Sequence, residues 1–257
     1  MEDLVGRRSP VSFVIPAHNE EALIGQTLST LLASAAAVGQ PFEVIVVDDA
    51  STDRTAEVAR SLGAAVIPVN LRQISAARNA GARVARGAVL IFVDADTWVP
   101  AAALAAAIEA IRQGAVGGGA RVEIDDDVPW WAPALMRLTS WGLGQLGLAA
   151  GCFLFARRDA FEAVGGFDEE YYASEEIHLS RALKAQGRFV IVPDAVVTSG
   201  RKARLFTGRQ MLRQMAVLAG GGRAALKQRE RLGFWYGGQR EQVRPGPRQE
   251  NLIKRPS

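Results

Sequence analysis

Two aspartates lie one residue apart at the end of an apolar run. Asp94 and Asp96 follow residues 88–93, which predict a central β-strand. In an open α/β sheet the carboxyl ends of the strands form the ligand crevice, so we expect both carboxylates to face a substrate. Mg²⁺ and Mn²⁺ suit such hard oxygen ligands, and they typically bind one or two carboxylates together with substrate phosphates. The pair therefore predicts a cation site for a diphosphate leaving group, whose growing negative charge the cation would stabilise.

A second acidic pair, Asp48 and Asp49, ends the second predicted strand at residues 42–47. Carboxylates at that edge can accept hydrogen bonds from a nucleobase and from ribose hydroxyls. The alternative is that Asp49 and Asp53 cap the next helix. Since Pro16 ends the first predicted strand, we expect three strand ends to converge on one side of the sheet.

A third acidic pair, Glu175 and Glu176, stands near the start of a predicted helix at residues 174–186. Two adjacent carboxylates repel each other, and partial burial raises the pKa of one towards the range of a general base. The alternative is that both residues only favour the helix dipole. His178 is a rival base, although a lone histidine is more often structural.

Short β-branched runs alternate with longer helical patterns along the first two thirds of the chain, which predicts an α/β fold with a mostly parallel central sheet flanked by helices. Asn19, with Glu20 and Glu21, is expected to cap the first helix. The predicted strands are residues 11–15, 42–47, 64–69, 88–93, 115–124, 151–157, 189–192 and 195–198. The 115–124 strand is expected to be antiparallel or mixed.

Length and composition predict one folded α/β domain, because 257 residues with 49% hydrophobic and 22% charged side chains can bury a sizeable core. We expect an N-terminal extension at residues 1–10, a main domain at 11–205 and a basic helix and tail at 206–257. Cys152 has no partner for an internal disulfide and is expected to be a buried apolar filler.

Charge is distributed unevenly. Residues 200–257 hold 14 Lys or Arg and three Glu, a net charge of +11 within a chain of net charge +3. A basic segment on an acidic body predicts an anionic partner such as a phospholipid surface, with a solvated tail as the alternative. A basic amphipathic helix expected at 207–218 suits a membrane surface. No nucleic-acid partner is expected, because no reader motif accompanies the cations.

The polar residues 1–10 lack the apolar run of a secretory signal, which predicts a cytoplasmic protein, attached peripherally at the inner face of the membrane if the basic tail binds lipid. No run is long enough to span a bilayer, and residues 143–156 come closest.

Two further sequence patterns bear on function. Residues 142–147 match G-x-G-x-x-G, but they follow a helical pattern and not a strand, so a dinucleotide-binding fold is not expected. Trp130, Trp131 and Trp141, with the apolar residues that follow to Phe155, fit either the wall of an acceptor pocket or ordinary core packing.

Several separated motifs, in order, resemble those of family 2 glycosyltransferases over about residues 11–200. They are FVIPAHNEE at 13–21, DDASTD at 48–53, ARNAG at 77–81, DAD at 94–96, GGFDE at 165–169 and SEEIHL at 174–179.

The resemblance implies the A-type glycosyltransferase fold, a nucleotide-diphosphate sugar donor, inversion at the anomeric carbon, and an acceptor that is a saccharide, a lipid-linked molecule or a small molecule. Arg78 would reach the nucleotide, Asp94 would contact the ribose or the metal, and Asp96 would bind the metal. Glu176 falls where the family places its catalytic Asp. The implied nucleoside site comprises Pro16, His18, Glu20, Asp48 and Asp49.

Two features depart from the family pattern. Many relatives have Asp as the base where this chain has Glu176. Many also have a metal-binding His near the end of the domain, where this chain has Arg201 and Lys202. Either cation is expected to contact the diphosphate directly. The rival functions are a nucleotidyltransferase, which lacks its glycine- and lysine-rich triphosphate loop here, and an inactive sugar-nucleotide-binding module.

Overall fold

The computed structural model describes residues 11–125, 128–210 and 226–227. Eight strands form one mixed sheet. They are β1 (Val11–Ala17), β2 (Phe42–Asp49), β3 (Ala65–Val69), β4 (Val89–Val93), β5 (Thr97–Trp98), β6 (Gly117–Ile124), β7 (Phe153–Arg157) and β8 (Phe189–Thr198).

Eight helices accompany these strands in the described part of the chain. They are α1 (Glu21–Val38), α2 (Thr55–Ser61), α3 (Ile74–Val84), α4 (Ala101–Arg112), α5 (Trp131–Gln145), α6 (Arg158–Ala163), α7 (Glu175–Gln186) and α8 (Arg201–Leu205). Beyond residue 210, the basic helix expected at 207–218 falls outside the described residues.

The sheet has the order β3-β2-β1-β4-β7-β6-β8-β5. Strands β3, β2, β1 and β4 run parallel, β7 is antiparallel to both of its neighbours, and β6 is parallel to β8. Ala17 at the end of β1 pairs with Asp48 near the end of β2. The carboxyl ends of the first strands therefore meet at one edge, as the sequence predicted.

A buried layer covers each face of the sheet. One layer includes Phe13, Leu28 and Leu104, from β1, α1 and α4, and the other includes Phe92 and Leu183, from β4 and α7. Helix α1 is the one described helix whose length and composition would suit a membrane span, so it exceeds residues 143–156 in this respect. Ile24, Leu28 and Leu31 pack it into the core.

Helix α3 lies unusually close to the sheet because it carries a glycine at the contact. A Cβ at Gly81 would lie 2.4 Å from Val14 Cγ1 and 2.8 Å from Val47 Cγ2. Real Cβ atoms do not approach other atoms this closely, so only glycine fits without movement of β1 or β2. This close packing directs Arg78, one turn earlier on α3, towards the ends of the central strands.

Helix capping differs from the sequence prediction. Glu20 is the N-cap residue of α1 and makes no side-chain cap, whereas the Asn19 side chain accepts hydrogen bonds from the backbone N–H and hydroxyl of Thr52. Asp53 accepts from the first N–H of both α1 and α2. Asp53 therefore caps helices, as the alternative interpretation proposed for it. Asn19 and Asp49, which were also expected to cap helices, bond elsewhere.

Strand β8 is one element where the sequence suggested two. Residues 189–192 and 195–198 belong to the same strand, because an irregularity in the β6–β8 register, between Ala120 and Arg121, accommodates Pro193 and Asp194. The short elements β5, α6 and α8 had no clear sequence pattern.

Candidate active site

A cavity of about 650 Å³ opens at the carboxyl ends of β1, β2 and β4. Most of the expected site residues line it. They are Pro16, His18, Glu20, Asp49, Arg78, Asp94, Asp96, Glu175, Glu176 and Arg201. Asp48 lies outside this wall: it is buried, and its Oδ1 accepts a hydrogen bond of 3.3 Å from the Ser51 N–H.

The Asp49 carboxylate orders the loop before α3. It accepts hydrogen bonds from the backbone N–H groups of Leu71, at 2.6 Å, and Gln73, at 3.2 Å. These bonds hold the loop that carries Arg72 over the cavity wall. Asp49 thus shapes the side of the cavity where the resemblance places a nucleoside.

His18 is held between two fixed partners. Its Nδ1 lies 2.8 Å from the Asp49 carbonyl oxygen and its Nε2 lies 2.9 Å from Arg72 Nη1. A carbonyl oxygen only accepts and a guanidinium only donates, so Nδ1 carries the proton and Nε2 accepts. Both ring nitrogens are therefore engaged as those of a neutral imidazole.

Arg78 is fully buried and bonds to the protein itself. Its Nη1 donates to Glu175 Oε1 at 2.7 Å, and its Nη2 donates at 2.7 Å to both Asp94 Oδ1 and the Gly151 carbonyl oxygen. Burial alone would lower the pKa of this guanidinium, but the charges of Asp94 and Glu175 raise it. Arg78 therefore fixes the two carboxylates in place; the sequence instead assigned it to the nucleotide.

The two glutamates of α7 have different environments. Glu175 is buried against Arg78, whereas Glu176 lies on the cavity wall. Burial, and then the charge of Glu175, raise the pKa of Glu176 to about 8. Such a pKa suits a general base near neutral pH. Both residues also stand in the first turn of α7, so the dipole interpretation describes their position but not this pKa.

Gly151 lies beside the Glu176 carboxyl group, at a distance where a Cβ would make an ordinary van der Waals contact. A Cβ at residue 151 would lie 3.4 Å from Glu176 Cδ and 3.7 Å from Arg78 Nη2. His178, the rival base, is not among the cavity-lining residues of the described chain, and its ring stacks on Tyr171 at 3.9 Å. The geometry therefore favours Glu176 over His178.

Arg201 forms ion pairs with two residues that are far from it in the sequence. Its guanidinium binds both carboxylate oxygens of Glu20, at 2.5 and 2.8 Å, and lies 2.9 Å from Asp96 Oδ2. We call these three residues the Glu20–Arg201–Asp96 clasp. Lys202 is half-buried beside it, and the loss of solvation lowers the pKa of the ammonium group despite the charge of Asp96. Two cationic residues thus adjoin the carboxylates expected to bind metal.

The carboxylates fit a divalent cation that is shared with a phosphate ligand. Asp94 and Asp96 both line the cavity, with side chains 27% and 13% exposed. Within the described residues no three His, Cys, Asp or Glu side chains are grouped to hold an ion. Mg²⁺ commonly takes only one or two carboxylates and completes its shell with water and phosphate, so two ligands suffice.

Cys152 lies just before β7, in the turn that the sequence assigned to the strand. Its backbone oxygen accepts from the Asp94 N–H at 3.1 Å. Burial, and then the charges of Asp94 and Asp96, raise the pKa of its thiol. The thiol is therefore protonated and unsuited to nucleophilic catalysis.

Helix α5 forms one wall of the cavity, within the apolar stretch that the sequence offered as the wall of an acceptor pocket. Met136, Thr139, Ser140 and Leu143 line it from one side of α5, and their spacing of three to four residues was the available signal. Trp130 and Trp141 are 88% and 61% exposed and are not among the lining residues, so neither the pocket nor the core interpretation describes them.

Comparison with known proteins identifies the family. Residues 12–165 match the model of "Glycosyl transferase family 2". The undecaprenyl-phosphate 4-deoxy-4-formamido-L-arabinose transferase of Pseudomonas aeruginosa is 36% identical over 168 residues, which cover 60% of this chain and 49% of that protein. The validoxylamine A glucosyltransferase of Streptomyces hygroscopicus subsp. jinggangensis is 40% identical over 90 residues, which cover 33% of this chain and 21% of that protein. The chain spans about half the length of the first of these relatives.

Solved structures show the same fold. The mannosyltransferase PcManGT from Pyrobaculum calidifontis, in complex with GDP-Man and Mn²⁺, has a TM-score of 0.63 at 24% identity, covering 81% of this chain and 61% of that one. S. aureus TarS 1-349 in complex with UDP-GlcNAc has a TM-score of 0.59 at 22% identity, covering 75% and 59%. The fold is the A-type glycosyltransferase fold. Because the family model matches more than half of its length, the chain belongs to glycosyl transferase family 2.

Proposed function

We propose that this chain is a metal-dependent, inverting glycosyltransferase that moves a sugar from a nucleotide-diphosphate donor to an acceptor hydroxyl. One observation carries the proposal: a single cavity is lined by the Asp94 and Asp96 carboxylates and by Glu176, whose pKa is raised to about 8. A cation site for a leaving group and a base for a nucleophile are the two parts that such a transfer requires.

The donor would occupy the side formed by the strand ends. Asp96, with Asp94, would hold Mg²⁺ or Mn²⁺, which when bound supplies positive charge to the diphosphate oxygens. Arg201 and Lys202 would add positive charge from the other side. Support comes from two neighbours of the same fold whose structures contain GDP-Man with Mn²⁺ and UDP-GlcNAc. Pro16, His18, Glu20, Asp48 and Asp49 remain the proposed nucleoside site, with Asp48 acting through the 48–51 turn.

The acceptor would approach from the side of α7 and α5. Glu176 would take the proton from the acceptor hydroxyl as its oxygen forms the new bond to the anomeric carbon. The bond from that carbon to the diphosphate oxygen breaks at the same time, and its electron pair leaves with the diphosphate. Attack from the face opposite the leaving group inverts the anomeric configuration. Arg78 holds Glu175 in place beside Glu176. The charge of Arg78 lowers the pKa of Glu176, but burial and the charge of Glu175 outweigh it.

The apolar α5 wall favours an acceptor with a lipid part. Met136 and Leu143 line the cavity with apolar side chains, and curated relatives are named for transfer to undecaprenyl phosphate. We therefore propose a lipid-linked acceptor used at the cytoplasmic face of a membrane. In this proposal residues 11–205 form the catalytic domain and the basic segment 206–257 meets anionic lipid.

Membership of the family removes the main support for the nucleotidyltransferase alternative. The inactive binding module is the remaining rival, because Arg201 already occupies Asp96 and no third metal ligand is grouped with the pair in the described chain. Donor turnover separates the two, since a module would bind the donor and leave it intact.

The test combines ligand binding with turnover. UDP, GDP and dTDP sugars are screened by thermal unfolding with and without Mn²⁺. One nucleotide class should stabilise the fold, by about 2.7 kcal/mol at 100 times its dissociation constant, and only with the ion. Asp96→Ala should abolish donor turnover with the fold intact, whereas Asp159→Ala, which removes a carboxylate from a surface ion pair on α6, should not. Undiminished turnover in Asp96→Ala would reject the metal site, and binding without turnover in the wild type would favour the module.

A further inference from the structure

One side of α5 presents large apolar side chains to solvent. Trp130 is 88% exposed, Leu138 and Leu146 are each 63% exposed, and Trp141 is 61% exposed. These are four of the seven exposed large apolar residues of the described chain. We call the four residues, with Ala134 between them, the outer face of α5.

The spacing of these residues places them on one side of the helix. Positions 130, 134, 138 and 141 recur every three or four residues, which is one stripe of an α-helix, and Leu146 stands five residues later, just past the end of α5. An apolar stripe normally packs against the core. This one points away from the cavity-lining side, and exposed patches of this kind mark sites of interaction.

The charges along residues 128–150 indicate which kind of partner would cover the stripe. Residues 128–150 contain no Asp or Glu, and Arg137 stands exposed within the outer face. At the end of α5 the Lys184 ammonium donates to the Leu146 carbonyl oxygen at 2.8 Å. Asp125, Asp126 and Asp127 precede the segment, and Asp125 is paired with Arg204 at 3.2 Å. Within and after the stripe the charges are those of Arg137 and Lys184, and the chain after residue 200 adds a net charge of +11.

We propose that the outer face of α5 binds the headgroup region of an anionic phospholipid membrane. Tryptophan and leucine side chains enter the boundary between headgroups and acyl chains, and arginine and lysine bind the lipid phosphates. A helix with this composition lies in the plane of the interface. The inference rests on exposure and charge and does not depend on the proposed sugar transfer.

Docking in this way would bring the cavity to the lipid surface. The opposite side of α5, with Met136, Thr139, Ser140 and Leu143, forms a wall of the cavity. The helix would therefore separate the bilayer from the cavity by its own thickness, about 10 Å. An acceptor carried by the membrane would reach Glu176 along the edge of α5.

The test measures partitioning of the full chain onto vesicles of phosphatidylcholine mixed with phosphatidylglycerol. Binding is expected on these vesicles and should be much weaker on phosphatidylcholine alone. Trp130→Ser/Trp141→Ser should lower the partition coefficient about 100-fold, because each large apolar side chain withdrawn from water contributes about tenfold or more. Trp130→Phe/Trp141→Phe should retain binding within about tenfold, since the apolar area is largely kept.

The matched control is Val84→Ser, at an exposed apolar residue on α3, which should bind like the wild type. Repeating the measurement at about 1 M salt, where the Debye length is about 3 Å, isolates the apolar contribution from attraction by the basic tail. Thermal unfolding checks that all variants fold.

Three results would overturn the inference. The first is equal vesicle binding by the wild type and Trp130→Ser/Trp141→Ser. The second is no binding by the wild type. The third is a wild type that self-associates without vesicles while the serine variant is monomeric, since the outer face would then join two copies. Donor-induced stabilisation should be unchanged in the serine variant, so failure here leaves the proposed transfer to its own test.

Discussion

Ionisation of Glu176 should govern how the rate depends on pH. Burial first, and then the neighbouring charges of Glu175 and Asp94, raise the pKa of Glu176 to about 8. A general base must be ionised, and with this pKa about a tenth of the molecules are ionised at pH 7 and about nine tenths at pH 9. We therefore expect the transfer rate at saturating donor to rise about tenfold between these pH values. Glu176→Gln should remove both the rate and the rise.

The same pKa has a consequence for stability. The folded protein keeps a proton on Glu176 that the unfolded chain, with a glutamate pKa of 4.5, has already released. Between pH 4.5 and about 8 the folded state therefore binds more protons, and the free energy of unfolding falls as pH rises. The side chain in Glu176→Gln stays neutral, so its free energy of unfolding does not fall in this way. The free energy of unfolding of the variant should therefore increase relative to that of the wild type as pH rises across this window.

The size of the gain follows from the shift. One pKa unit corresponds to about 1.4 kcal/mol, so the full shift would set an upper limit of about 5 kcal/mol. Glu176 faces a water-accessible cavity, and water there screens part of the effect. We expect a relative gain of about 1–2 kcal/mol from pH 5 to pH 9.

Urea unfolding at several pH values, without donor or metal, measures this gain. Glu162→Gln, on the exposed part of α6, is the control and should parallel the wild type. The reasoning would be refuted by parallel stability profiles of Glu176→Gln and wild type. Transfer by Glu176→Gln with an unchanged pH profile would refute its role as base.

Three further predictions concern packing and charge. Arg78→Met should lower the free energy of unfolding by about 3–5 kcal/mol in urea titrations, because it leaves buried carboxylates without their cation; a loss under 1 kcal/mol would contradict this. Arg201→Ala should raise Mn²⁺ affinity about tenfold by calorimetry, since it frees Asp96, a change of about 1.4 kcal/mol; weaker Mn²⁺ binding would count against competition. Gly118→Ala should lower the free energy of unfolding by about 1–3 kcal/mol, because its Cβ would lie 2.0 Å from a β8 carbonyl oxygen. Gly142→Ala has open space around it and should raise the free energy of unfolding by up to about 1 kcal/mol. Thermal unfolding measures both variants, and equal effects would contradict the packing argument.

The sequence predicted the sheet and its acidic edge well because these depend on local patterns. Apolar runs such as 88–93 end where the chain turns polar, and parallel strands must place their carboxyl ends together. The positions of Asp94, Asp96 and Glu176 on one cavity wall follow from this geometry and from the order of the motifs. The family and the A-type fold, which the motifs implied, are confirmed.

Contacts between distant residues could not be predicted in this way. Arg78 has the pattern of a ligand-binding cation, and only the close packing of α3 at Gly81 shows that it points at Asp94 and Glu175. Arg201 meets Glu20 across 181 residues, and no periodicity encodes such a pair. The two exposed tryptophans were assigned to a pocket wall or to the core for a related reason, because a helical stripe does not reveal which of its sides faces the core.

The Glu20–Arg201–Asp96 clasp sets the order in which the cavity is completed. A ribosome must release residues up to 201 before Glu20 and Asp96 gain their shared cation, although every residue of β1 to β4 has long since emerged. Closing so long a loop is entropically late in folding. A nascent chain halted upstream of α8 would therefore carry Glu20 and Asp96 without their shared cation, whereas Asp94 would already have Arg78.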